Sequence, residues 1–166
     1  MILRLSLDLP EDQEFVRTTR LLSRTLLDDL RVIEEDKYDI ETIVTELCTN
    51  VIRHAKSSEG RYHLAIEYHR DKAVITVEDQ GVGFAPDTAP EPGTHRSDTL
   101  TGGERIGGFG MPLVKLLSDR VQFALTEPQG MTVMAEKTLR YESRRDRARA
   151  GKMDATEGGQ INATLK

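Results

Sequence analysis

Residues 73–84 read Ala73-Val74-Ile75-Thr76-Val77-Glu78-Asp79-Gln80-Gly81-Val82-Gly83-Phe84. Up to Asp79 apolar and polar side chains alternate, the period-two signature of a strand with one buried face. The strand then ends at a carboxylate, with glycines at alternate positions beyond it. Upstream, Tyr62, Leu64, Ile66 and Tyr68 keep the same alternation, and Arg70-Asp71-Lys72 forms a short polar turn between the two runs. The pair reads as a hairpin. Ahead of it a helix is expected from about Ile40 to Lys56, with Asp39 as N-cap and Ile40, Ile43, Val44, Leu47, Val51 and Ala55 on its apolar face. An earlier helix is expected from Glu11 to about Ile33, with Phe15, Thr19, Leu22, Leu26, Leu30 and Ile33 recurring at three- and four-residue steps. Its opposite face carries Arg17, Arg20, Arg24 and Arg31, an ordinary solvated face or a docking surface for an acidic partner. Leu3, Leu5, Leu7 and Leu9 alternate with polar residues in an N-terminal strand that stops at Pro10.

Downstream, the stretch from Gly81 to Gly110 holds eight of the 13 glycines and three of the six prolines, so it reads as a long functional or disordered loop. A short helix over 112–118 follows. Strands at 120–126 and 131–137 come next, joined at Pro128-Gln129-Gly130. Strands and helices do not alternate as a doubly wound parallel sheet requires. The order instead predicts an α+β, two-layer sandwich with helices on one face of a mixed, mostly antiparallel sheet. Residues 1–140 form the expected domain. Residues 141–166, rich in arginine and poor in apolar side chains, read as a polar, disordered tail.

Composition narrows the function. A chain of 166 residues can bury a core without staples, and the lone Cys48 excludes an internal disulfide and any multi-cysteine zinc site. No apolar run approaches the roughly 20 residues that span a bilayer, and a cytoplasmic protein without membrane attachment is expected. With 23 Lys+Arg against 28 Asp+Glu, the net charge of −5 gives no bulk attraction for nucleic acid. The absence of tryptophan argues against an aromatic stacking platform.

Three segments could carry chemistry. Glu46, Asn50 and His54 lie four apart and climb one stripe of their helix beside its apolar face. Asp79 with Gly81 and Gly83 can bring backbone close to a flat ligand and accept a hydrogen bond from an exocyclic amine. In Gly102-Gly103-Glu104-Arg105-Ile106-Gly107-Gly108-Phe109-Gly110-Met111-Pro112, glycines feed a helix start, where free N–H groups favour phosphate. No strand-helix-strand unit frames this run and no Gly-Lys-Ser/Thr ends it, which excludes the dinucleotide fingerprint and the Walker loop. His63 and His69 share a strand face without a third ligand, so a metal site is not expected there.

In this order, Glu46-x-x-x-Asn50-x-x-x-His54-Ala55, Asp79-x-Gly81-x-Gly83 and Gly108-Phe109-Gly110 resemble the N, G1 and G2 boxes of the GHKL ATP-binding superfamily, which has the Bergerat fold. The resemblance covers about residues 1–138. The short chain, the Glu-Leu-Cys-Thr-Asn N box and the Glu-Arg before the G2 glycines look most like the bacterial anti-sigma-factor serine kinases of partner-switching modules in stress response and sporulation. With 39 residues ahead of the expected N-box helix, the phosphoacceptor helix pair of a histidine kinase is not expected. The resemblance implies ATP and Mg²⁺ as cofactors. Asn50 would hold the metal, and Asp79, with Gly81 and Gly83, would take the adenine. Arg105, Gly107, Gly108 and Gly110 would lie at the phosphates under a lid from about Phe84 to Gly107. Glu46 would be the general base. The implied activity is phosphorylation of a STAS-type anti-anti-sigma factor, with sequestration of a sigma factor and thereby transcription regulation. A homodimer is implied as well. The alternative is a nucleotide-binding module that sequesters its partner without phosphoryl transfer.

Overall fold

Each alternating run hydrogen-bonds to the next with its apolar residues in register. Leu5 lies opposite Ile66, Ile66 opposite Ile75, Ile75 opposite Ala135 and Ala135 opposite Val121, and a second row runs Leu7, Leu64, Val77, Val133, Phe123. The computed structural model describes residues 1–55, 57–81, 110–126 and 130–143. Within them lie β1 (Leu3–Pro10), α1 (Gln13–Asp29), α2 (Glu34–His54), β2 (Arg61–Tyr68), β3 (Lys72–Asp79), α3 (Gly110–Leu117), β4 (Arg120–Leu125) and β5 (Met131–Thr138). The strands form one sheet in the order β1-β2-β3-β5-β4. Every described pairing is antiparallel, so the expected parallel admixture is absent among the described residues. The apolar rows and the inward residues of the helices share one core, in which Leu64, Ile66, Ile75, Ile40, Ile43 and Val44 are fully buried. The other face of the sheet is polar. There Arg4 pairs with Glu67, and His63 bridges Asp8 and Ser6.

Two helix boundaries differ from the sequence expectation. α1 ends at Asp29, and Arg31 takes a left-handed φ of 59°, which breaks the helix before Ile33. α2 then starts at Glu34 rather than after Asp39. The polar run 34–39 looks like a linker, yet Glu34, Glu35 and Asp36 lie in a first turn, where the helix dipole favours them. Its charges are also engaged. Buried Lys37 reaches Asp28 at 2.6 Å, Arg24 holds Glu34 and lies 2.7 Å from Glu41, and Asp39 pairs with Lys137.

The buried face of α1 is Val16, Thr19, Ser23 and Leu27, whereas Phe15 and Leu22, expected in the core, are exposed. Two overlapping stripes fit a helical period here, and polar satisfaction chooses between them. Ser23 Oγ lies 3.0 Å from the hydroxyl of buried Tyr68, and Thr19 Oγ donates to the Phe15 carbonyl at 2.8 Å. Rotation toward Phe15 and Leu22 would leave Tyr68 without that partner.

Tyr141, expected to begin the tail, bridges to Val32 and donates its hydroxyl to the His69 carbonyl at 2.8 Å, and the Glu142 N–H donates to the Arg31 carbonyl, so residues 141 and 142 belong to the packed body. Just before it, the Arg140 guanidinium and backbone N–H both donate to the buried Asp36 carboxylate. The rest of the expected tail, the lid over 84–107 and the turn residues 127–129 lie outside the described residues.

The α1 orientation gives a direct test. Leu27→Ala should lower the unfolding free energy by about 2–5 kcal/mol, and Leu22→Ala should change it by less than about 0.5 kcal/mol. Urea denaturation of both variants measures this, and equal losses would place the helix the other way round.

Candidate functional site

The site begins where α2 crosses the end of β3. On α2 the inward positions Ile43, Val44, Leu47, Cys48 and Val51 are apolar and buried, and Glu46 and Asn50 sit partly buried at the rim one turn apart. His54 is exposed at the last position of α2.

Two glycines let backbone and helix close in. A Cβ on Gly81 would stand 2.0 Å from the Ala55 carbonyl oxygen, so only glycine lets the chain leaving β3 lie on the end of α2. A Cβ on Gly110 would stand 2.6 Å from Glu46 Oε2. The Glu46 carboxylate is therefore packed against the first residue of α3, which brings the N-box carboxylate and the third motif together.

Asp79 closes the arrangement. It ends β3 on the helix-facing side and is 7% exposed, with Oδ1 accepting the Gly81 N–H at 2.8 Å. Burial pushes its carboxyl above the usual carboxylate range, and the bond from Gly81 pulls part of that shift back. An acceptor half-satisfied by its own turn and excluded from water suits the amino group of a flat, largely apolar base. Asn50 offers an uncharged oxygen, which fits an ion such as Mg²⁺ that takes few protein ligands. Gly110 lies beside Glu46, whereas Gly83, expected at the adenine, and Arg105, Gly107 and Gly108, expected at the phosphates, lie outside the described residues. The lone thiol, Cys48, is buried, and that burial pushes it up to about 11.

The arginine stripe on α1 divides in the fold. Arg24 is turned onto α2, held by Glu34 and Glu41 and stacked over Tyr38 at 5.3 Å, so it is a structural cation and not a docking one. Arg20 leans toward Glu41 at 4.0 Å, and Arg17 is exposed. Ser23, Asp36 and Lys37 are buried polar residues that the sequence reading did not place inside, and Tyr62 was read only as a strand residue. Tyr62, directly opposite Asp79 in the β2–β3 ladder, is 3% exposed.

The model of the histidine kinase-like ATPase domain matches residues 9–137 of this chain. The serine-protein kinase RsbW of Halalkalibacterium halodurans is 30% identical over 81% of the chain and 83% of that protein. The chain belongs to this histidine kinase-like ATPase family, in its RsbW branch. RsbW of Listeria innocua is 30% identical over 82% of the chain and 87% of that protein, and RsbW of Bacillus velezensis 27% identical over 83% and 87%. Two solved structures share the fold. The RsbU and RsbW domains of Rv1364c from Mycobacterium tuberculosis give a TM-score of 0.60 at 16% identity, covering 85% of this chain and 35% of that one. The SiaB-SiaC complex from Pseudomonas aeruginosa gives 0.61 at 14% identity, covering 80% and 88%. Glu46, Asn50, Asp79 and Gly81 all fall inside the segment matched to the ATPase family.

Two measurements follow. Because folding raises the Asp79 pKa, this group favours the folded state most at pH below its unfolded pKa, and that contribution is lost as pH rises through the folded value. Without nucleotide, Asp79→Asn should therefore match or exceed the wild-type Tm at neutral pH, and the gain should vanish in acid. The same variant should lose the stabilisation that ATP with Mg²⁺ gives the wild type. A large loss of Tm without ligand would overturn this. Cys48 should resist a thiol reagent in the native protein and react fully in denaturant, and rapid native labelling would contradict its burial.

Proposed function

We propose that this chain is an ATP- and Mg²⁺-dependent serine kinase that phosphorylates a STAS-type anti-anti-sigma factor and holds a sigma factor in the cytoplasm when that partner is phosphorylated. The observation that carries the reading is the packing of the Glu46 carboxylate against Gly110 at the start of α3. Charge for a proton and a helix start for phosphate thereby share one place.

Asn50 would hold Mg²⁺, which would supply charge neutralisation at the phosphates. Asp79 would fix the base, and Glu46 would accept the serine proton as the seryl oxygen attacks the terminal phosphorus and the bond to the ADP oxygen breaks. Phosphoryl transfer asks chiefly for alignment and charge neutralisation, so one base, one metal ligand and a base-binding carboxylate make a sufficient set. Among the described residues no helix is long and apolar enough to cross a membrane. Arg17 and Arg31, both exposed, are the cations of the expected stripe suited to meet such a partner.

The test is label transfer from γ-labelled ATP to a candidate STAS partner. Glu46→Gln should cut transfer by about 10²–10⁴-fold and leave ATP binding within a factor of two or so. Gly110→Ala should fold, because the Cβ meets the end of a side chain that can move, yet it should also slow transfer by displacing the carboxylate. Tight ATP binding with transfer to no partner would favour a module that sequesters its partner without chemistry.

A further inference from the structure

β1 lies at the edge of the sheet, with β2 as its ladder partner among the described residues. Its backbone phase is fixed at both ends. His69 donates to the Lys72 carbonyl at 2.7 Å in the β2–β3 ladder, so odd-numbered residues of β2 bond toward β3 and even-numbered ones toward β1. Their partners on β1 are Leu3, Leu5, Leu7 and Leu9, and the Glu11 N–H, donated to the Gly60 carbonyl at 2.9 Å, continues the same phase. The backbone groups of Arg4, Ser6 and Asp8 therefore point off the sheet. Of these, the Asp8 carbonyl accepts the Arg61 guanidinium at 3.0 Å, which leaves its second lone pair.

The helix layer above this edge presents an apolar flank. α2 lies over β3 and β5, and α1 sits on the β1 side of it, with Ser23 on Tyr68 of β2. Arg20 and Arg24 turn from α1 toward Glu41 of α2. That aims the opposite flank, Phe15, Leu22 and Leu26, out over the edge. Phe15 and Leu22 are 40% and 42% exposed, and Leu3, Leu5, Leu7 and Leu26 are only partly buried against the core. An eight-residue edge strand beside such a flank is a template for another chain.

We propose that this edge is the interface of a two-fold dimer, in which β1 pairs antiparallel with β1 of a second copy about a centre at Ser6. The strand is its own complement about that point. Arg4 of each copy faces Asp8 of the other, Leu5 faces Leu7, Leu3 faces Leu9, and Phe15 and Leu22 of the two α1 helices close over the seam. Because outward backbone groups must meet outward ones, the register can slide only in steps of two residues. One step sets Arg4 against Ser6 and the other sets it against Pro10, which has no N–H. The centre at Ser6 alone opposes unlike charges, and this selects a second copy over an unrelated strand. Pairing consumes the edge, so assembly stops at the dimer. The inference is independent of the nucleotide reading.

Sedimentation velocity of the full chain at micromolar concentration should give a dimer. Ser6→Pro removes an outward N–H and no bond to β2, so it should keep the circular dichroism of the wild type and yield monomer. Arg4→Asp sets like charges opposite at both ends and should weaken association roughly tenfold, and adding Asp8→Arg should restore it. Opposed residues have Cβ atoms about 4.5–5.5 Å apart, so Ser6→Cys should link two copies through a short bifunctional thiol reagent, whereas Arg4→Cys should not. A monomeric wild type, an assembly larger than two, or a dimer unchanged by Ser6→Pro would overturn the proposal. So would a charge swap that fails to restore pairing, or cross-linking at position 4 in place of 6.

Discussion

The contact of Gly81 with the Ala55 carbonyl governs this molecule. It is the point at which the strand carrying Asp79 and the helix carrying Glu46 and Asn50 are pressed together, backbone on backbone, with no room for a side chain between. A separation wider by one methyl group would move Asp79 away from the helix rim and open its carboxyl to water. Burial of Asp79 follows from this closeness, and so does the upward shift of its carboxyl. A carboxyl whose charge burial disfavours, held in place by a glycine turn, is the arrangement on which the proposed role of Asp79 rests.

The other end of α2 is anchored electrostatically. Lys37 is buried, yet it lies within ion-pair distance of Asp28 and Glu34, and Arg24 joins Glu34 to Glu41. The C-terminal segment adds to this anchor, since Arg140 donates both side-chain and backbone hydrogens to buried Asp36. These pairs fix the start of α2 against α1 and the chain beyond β5. The rim residues then hold their height over the sheet, as phosphoryl transfer requires of groups that act by alignment. The network also explains why the basic stripe of α1 is not one surface, because Arg24 serves the inside of the protein.

The two faces of the sheet show how polar side chains decide packing that apolar spacing leaves open. On α1, Ser23 goes inward because the hydroxyl of Tyr68 waits there, and Leu22 and Phe15 are turned out. On the far side of the sheet, Arg4 with Glu67 and His63 with Asp8 and Ser6 use cross-strand pairing to keep that face soluble. His63, the histidine of β2, therefore takes part in a local hydrogen-bond network.

The sequence alone determined the strands, because a period of two permits only one buried face, and the five alternating runs appear as strands within a residue or so of the expected bounds. The candidate site residues were legible there as well, since a carboxylate and a carboxamide at helical spacing and an aspartate before paired glycines are local patterns. Where a pattern was ambiguous, the fold chose. The start of α2 and the face of α1 depend on partners far along the chain, Lys37 with Asp28, Asp36 with Arg140 and Ser23 with Tyr68, which no local window contains. The meeting of Glu46 with Gly110 joins residues 64 positions apart. Tyr62 was legible as a strand residue only, because its pairing with Asp79 is a matter of hairpin register and its missing partner is a property of the packed interior.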